Sequence, residues 1–449
     1  METGPLILYS ALSGLLAGLL AAGFAFLLKV LSAWVGLLLG YLPPEAPGEG
    51  GLLQVFTGPI SILLVLLLPL GYALGGLLVF PSRSNLEREA PWPLFQPEDR
   101  AFSLRESLGQ VLGGLLQLAL YSPLGREGPM AFLGRGVGSL LGRIFPKAGR
   151  EGLAFAGLAA GFASALHAPA AGALLATEVL YPGLRLEAMA LAPALVGALS
   201  GFALYGAFFG YEPLLSLSGG RLSWSTLPAG LLLGLLAAGL GSLWLFLAQA
   251  FQRASRRLVL PVRHGALGLA LALCLFLIPE AMGQALGWVQ VGLTPLMTTQ
   301  ALFLLLLAHL LLVALATGVG AYGGGITPAL ALGGLLGALL VRLLPPLFPY
   351  PEATALVGMT ALIAGMARAP FAALLFAGEW GGYTVLPLAI PAVFLSYALT
   401  PAPHPTTSPL GEKTEAQAKP AASPSETPPQ TEPPPSAPEG GASPETPRG

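Results

Sequence analysis

Arg126 and Glu127 stand side by side in Gly125-Arg126-Glu127-Gly128-Pro129, inside a strongly apolar region. An ionisable side chain at membrane depth costs roughly 2.5–3.5 kcal/mol on insertion scales, so it is expected to face protein or a water-filled path. The flanking glycines leave backbone N–H groups uncovered by side chains. Pro129 suits a first helical turn, where its missing N–H costs nothing. Apolar and small residues then run from Met130 to Ile144. The pattern predicts a helix that begins inside a membrane. Its free N–H groups and positive dipole end would face an anion.

Other chemistries find little support. Cys274 is the only cysteine, which excludes disulfides and cysteine metal sites within the chain. His167, His264, His309 and His404 are scattered, no HExxH occurs, and no nucleophile–base pair is evident. No metal, no cofactor and no enzymatic activity are expected. A net charge of −1 offers no basic field for nucleic acid.

The elements that would position Glu127 are membrane spans. Of 449 residues, 54% are hydrophobic and 10% charged, and the mean hydropathy is +0.74. That composition excludes an ordinary soluble protein. Apolar segments lie at 5–42, 52–81, 107–123, 130–145, 152–180, 187–209, 227–251, 265–282, 298–319, 326–344, 354–378 and 385–399. The first is too long for a signal-peptide core and reads as an uncleaved span in which Lys29 snorkels. Breaks at Pro129, Pro169, Pro328 and Pro370 suggest half-helices and re-entrant pieces. Residues 82–106 and 210–226 read as polar connections. The loop at 252–264 carries Arg253, Arg256, Arg257 and Arg263 without an acid, and is placed on the cytoplasmic side. Counting back across two spans puts Glu178 on that side too. Residues 401–449 hold 14 prolines and no aromatic residue, so they are expected to be a disordered tail.

The chain also repeats. Pro129, Gly134, Gly138, Leu141, Arg143 and Pro146 recur as Pro328, Gly333, Gly337, Leu340, Arg342 and Pro345. Ala168, Pro169, Ala171, Leu174, Ala176 and Glu178 recur as Ala369, Pro370, Ala372, Leu375, Ala377 and Glu379. A duplicated half with broken helices points to a transporter whose site lies at the midplane between repeats. Inverted repeats would bring two helix N-termini to one anion.

These residues resemble the CLC family of chloride channels and chloride/proton exchangers. Gly125–Pro129 looks like that family's gate motif, and Gly324-Gly325-Ile326-Thr327-Pro328 like its second helix start. His167-Ala168-Pro169 and Arg368-Ala369-Pro370 resemble its paired Ala-Pro sites. Order and spacing hold from about 107 to 399. The resemblance implies an all-α polytopic fold with two inverted repeats and re-entrant half-helices. The membrane domain would be 1–400, with halves near 52–209 and 227–399. It also implies a homodimer in the cell membrane, a cytoplasmic tail, and chloride as cargo, with protons as a second candidate. Glu127 would be the gating glutamate. Backbone N–H groups of Arg126, Glu127 and Gly128 would line the outer path, and those of Gly325 and Ile326 the centre. Glu178 is the candidate proton-path residue.

Three departures bear on mechanism. The family's serine motif is absent, with Ser84 the nearest candidate. No tyrosine follows Tyr397. Val179 stands where exchangers usually carry a second glutamate. The expectation is therefore channel-like or weakly coupled anion transport, with a chloride/proton antiporter as the alternative. A fluoride transporter and a polytopic membrane enzyme are lesser alternatives. A passive scaffold would have no use for an Arg–Glu pair at depth, and Glu127→Gln would leave it indifferent.

Overall fold

In a computed structural model the described residues are 3–49, 55–58, 66–79, 104–146, 150–179, 188–217 and 223–401. Ser84, Arg185 (a sequence candidate to pair with Glu178) and residues 402–449 lie outside them. The described residues form an all-α fold with one small antiparallel pair, β1 (Tyr41–Leu42) and β2 (Phe56–Thr57). Six of the described helices are long and apolar enough to cross a membrane. Their outer faces carry large apolar side chains, such as Leu8, Phe246 and Leu277, at 67%, 61% and 76% exposure. Small residues fill the interior between helices instead, as packing within lipid favours.

The first part of the chain gives α1 (Thr3–Leu39), α2 (Leu67–Val79) and α3 (Leu104–Ala119). Next come α4 (Glu127–Ile144), α5 (Arg150–Leu166), α6 (Pro169–Glu178) and α7 (Ala188–Phe209). A middle section supplies α8 (Leu227–Ser255), α9 (Leu260–Leu277) and the short α10 (Leu286–Gly292). The rest of the described chain is α11 (Thr299–Val319), α12 (Ile326–Leu343), α13 (Pro351–Ala367), α14 (Pro370–Gly381) and α15 (Leu386–Leu399).

Two sequence expectations need correction. The arginine-rich loop expected at 252–264 shrinks to residues 256–259, because α8 runs on to Ser255 and α9 starts at Leu260. Arg253 lies in the last turn of α8, where a cation complements the helix dipole, and Pro261 suits the first turn of α9. The break at Pro328 does not mark a half-helix, since α12 has 18 residues, as does α4, and is long enough to cross. The breaks at Pro169 and Pro370 divide the apolar runs 152–180 and 354–378 into two helices each, as expected. Each breaks where a residue before the Ala-Pro pair turns left-handed, His167 at φ 50° and Arg368 at φ 57°.

The repeat is present in the backbone as well. α4 and α12 have the same length and begin 199 residues apart. The helices before them, α3 and α11, are followed by left-handed residues at matching places, Tyr121 at φ 59° and Gly320 at φ 76°. Gly125 and its repeat mate Gly324 form an antiparallel bridge, exchanging N–H···O bonds of 2.8 and 2.7 Å. A residue that pairs antiparallel with its own mate lies beside a two-fold axis, so the repeats are inverted. α6 and α14 obey the same symmetry. Ten residues of α6 rise about 15 Å, roughly half a bilayer core, so it is a half-helix.

Candidate functional site

The bridge between Gly125 and Gly324 sets the site. Each chain segment leaves the bridge and starts a helix within two residues, so the N-termini of α4 and α12 meet. Both helix starts are buried, and α12 is buried from Ile326 through Leu340. A helix N-terminus leaves its first N–H groups without intrahelical partners. For α12 that partner is the side chain of Glu127.

The buried Glu127 carboxylate reaches across the bridge to α12. Its Oε1 accepts from the N–H of Ile326 at 2.7 Å and of Thr327 at 3.0 Å. Its Oε2 accepts from the Thr327 hydroxyl at 2.5 Å. The positive end of α12 supports the negative charge further. Both bridge glycines make room for it. A Cβ on Gly125 would lie 1.8 Å from Oε2, and one on Gly324 would lie 2.2 Å from Oε1. The carboxylate thus rests on bare backbone, held by three donors.

Arg126 turns away from this contact. Its Nη2 donates to the Ala165 carbonyl at 3.1 Å, so the side chain braces the loop. It also lines a cavity of about 580 Å³ together with Lys29, Glu45, Tyr121, Ser122 and Gln284. Lys29 carries its amine to that cavity. Its Nζ lies 3.4 Å from a Glu45 carboxylate oxygen at the cavity, both side chains about half exposed.

Glu178 lies in a different environment. Its oxygens accept from the N–H of Phe371 at 3.1 Å and of Ala372 at 2.8 Å, capping α14. Glu379 reciprocates on α6, accepting from Ala170 and Ala171 at 2.8 Å each. The two half-helices run antiparallel, each closing the other's N-terminus. His167 Nδ1 lies 2.7 Å from the Glu212 carbonyl oxygen, and its ring packs edge-on against Phe202 and Tyr205.

Of the sequence-predicted residues, the fold therefore brings Glu127 against Ile326, with Gly128 and Gly325 in the same two helix starts. It keeps Glu178 apart, on the α6–α14 pair. Thr327 escaped the sequence reading. Its signal was the repeat itself, since the mate of Gly128 is a hydroxyl residue at a helix start. Among the described residues no group of His, Cys, Asp and Glu is arranged to hold a metal.

Comparison with known proteins agrees with this architecture. The family model described as voltage gated chloride channel matches residues 94–401. A protein of Ralstonia nicotianae, named a putative chloride channel protein ClcB-like, is 32% identical over 311 residues, 66% of this chain and 72% of its own length. A protein of Vibrio parahaemolyticus named H(+)/Cl(-) exchange transporter ClcA is 30% identical over 283 residues; the match spans 59% of this chain but only 60% of the exchanger. The crystal structure of a slow cyanobacterial Cl−/H+ antiporter superposes with a TM-score of 0.75 at 24% identity, over 92% of this chain and 99% of that one. A CLC-type fluoride/proton antiporter superposes at 0.70 with 25% identity, over 89% and 96%.

Proposed function

Because this chain belongs to the voltage-gated chloride channel (CLC) family, we propose that it carries chloride across a membrane in exchange for protons. One observation carries the reading: the Glu127 carboxylate itself occupies the three donors that a chloride would use. Anion and carboxylate then compete for one place. Protonation removes the charge that strengthens those hydrogen bonds, and charge-assisted bonds are roughly twice as strong as neutral ones. The neutral side chain leaves, and chloride takes the N–H groups of Ile326 and Thr327 and the Thr327 hydroxyl. Gly325 adds a central N–H, and Arg126, Glu127 and Gly128 line the outer approach. Backbone dipoles hold chloride without the trap of a fixed full charge, so it can move on. Since one site serves both partners in turn, proton uptake and chloride occupancy are linked.

The channel-like expectation drawn from Val179 has less support than exchange. The Vibrio relative is named an exchanger, and so are relatives from Klebsiella pneumoniae and Salmonella. Glu178 is proposed to act as a helix cap and not on a proton path, since both its oxygens already accept N–H groups. The protein works as a homodimer in the cell membrane, one pathway per subunit, with residues 401–449 on the cytoplasmic side. The repeat halves are 52–209 and 227–399, and its activity is transport, not catalysis.

The test is flux from liposomes holding the purified protein, with internal pH recorded in the same run. A chloride gradient should drive protons uphill, and Glu127→Gln should abolish that while chloride still flows. Chloride flux without proton movement in the unmodified protein would return the reading to a channel. A second reading, fluoride export, draws on the fluoride/proton antiporter likeness at 25% identity and the missing serine motif. Repeating the run with fluoride decides between the two anions.

A further inference from the structure

Two straps of chain deliver the site, residues 120–125 into α4 and residues 320–325 into α12. One buried side chain ties them together. Gln117, in the last turn of α3, accepts the Ser122 N–H on its backbone carbonyl at 3.1 Å. Its side-chain Oε1 accepts the Tyr322 N–H at 2.8 Å. So the residue that closes the first strap also holds the second, 205 positions away. A second tie between the straps is the Gly125–Gly324 bridge.

His264 fixes how Gln117 points. Because Oε1 accepts from Tyr322, the Gln117 Nε2 is a donor, and it lies 2.8 Å from His264 Nδ1. That nitrogen must accept, so the proton sits on Nε2, which donates to the Gly320 carbonyl at 2.9 Å. Gly320 starts the second strap. The imidazole therefore reads both ends of one small unit, and the Tyr322 ring packs edge-on against it at 5.2 Å. Gln117 and His264 are both fully buried. Every polar atom of the pair has a partner, and only one amide orientation and one tautomer satisfy them all. Such a fully satisfied network specifies geometry, since any shift strands a buried polar group.

We propose that Gln117 and His264 are positioning residues for the anion site. They hold the 320–325 strap so that the N–H groups of Ile326 and Thr327 face the Glu127 carboxylate or the anion that replaces it. The identity of that anion rests on the transport reading above; the positioning does not.

The experiment uses the full-length protein and the variants Gln117→Leu, His264→Leu and their combination. Two readouts are taken: amide hydrogen exchange of the peptide spanning 318–330, and the half-saturating chloride concentration for flux. Each single variant should speed exchange in that peptide and raise half-saturation about three- to tenfold, the worth of one buried hydrogen bond. The double variant should be no worse than the worse single one, since both act through one strap. Arg342→Gln is the control. Arg342 braces the carbonyls of Gly292, Thr294 and Met297 from the far end of α12. It should lower the melting temperature and leave half-saturation alone. Should Gln117→Leu not fold, Gln117→Asn carries the same test with an amide one methylene shorter. Unmoved exchange and half-saturation in folded variants, or a half-saturation shift equal to that of the control, would overturn the proposal. A wild type that moves no chloride while its variants still loosen the strap would sink the transport reading and keep the positioning.

Discussion

Replacing Thr327 by valine removes one oxygen and keeps the shape of the side chain. The Thr327 hydroxyl donates to Glu127 Oε2 at 2.5 Å, the shortest of the three bonds that hold the carboxylate. Hydrogen bonds to charged groups contribute about 1.5–3 kcal/mol. That contribution belongs to the ionised, docked side chain, because the hydroxyl's proton points at a negative oxygen. Without it a proton competes better for the carboxylate at any given pH. One pH unit corresponds to 1.36 kcal/mol, so the loss is about 1–2 units. The sign follows. On the proposed mechanism flux rises as protonation releases the side chain, so in Thr327→Val the midpoint of that rise should move to higher pH by about 1–2 units. The assay is chloride efflux from liposomes across a pH series at saturating chloride, so that any weaker chloride binding does not shift the midpoint. Thr327→Ser keeps the hydroxyl and should restore the wild-type midpoint. A midpoint that stays in place in Thr327→Val, or one that Thr327→Ser fails to restore, would refute the argument that this hydroxyl locks the carboxylate.

Further outcomes follow from the same geometry. Gly324→Ala would set a methyl group 2.2 Å from Glu127 Oε1 and so exclude the carboxylate from its docked place. Chloride flux at alkaline pH should rise about tenfold and proton coupling should fall, because even one lost charge-assisted bond has that weight; wild-type pH dependence in this variant would contradict the docking. Glu178→Gln and Glu379→Gln each weaken one reciprocal cap and should each cost about 1–2 kcal/mol of stability, read as a lowered melting temperature. The coupling ratio should be unchanged in both. Loss of coupling in Glu178→Gln alone would place that residue on a proton path after all.

Much of the fold was legible because a bilayer imposes simple rules. Long apolar runs had to be spans, and the runs broken at Pro169 and Pro370 yielded the short helices α6 and α14, whereas α12 after Pro328 is long enough to cross. The duplication showed in Pro, Gly, Arg and Glu that recur in order, and it predicted two related helix starts, around Pro129 and Pro328. Boundaries set by local capping were less legible. The arginines at 253–263 read as a loop, yet only Arg256 and Arg257 lie in the four-residue turn; Arg253 suits the C-terminus of α8, and Arg263 lies in the first turn of α9.

By itself the sequence determined that this is a membrane protein with two related half-structures, and that a lone glutamate stands at the start of one buried helix. Local composition and periodicity suffice for that, since lipid accepts little else than apolar helices with satisfied backbones. Only the tertiary structure decided what Glu127 touches. Its donors lie 199 and 200 positions away, and the Gln117–His264 pair spans 147. Such contacts depend on how two inverted halves dock, down to tenths of an ångström. Repeat mates meet directly at Gly125 and Gly324, whereas Glu178 and Glu379 cross to each other's helices. No spacing along the chain distinguishes these two arrangements, because the choice is made by the position of the two-fold axis.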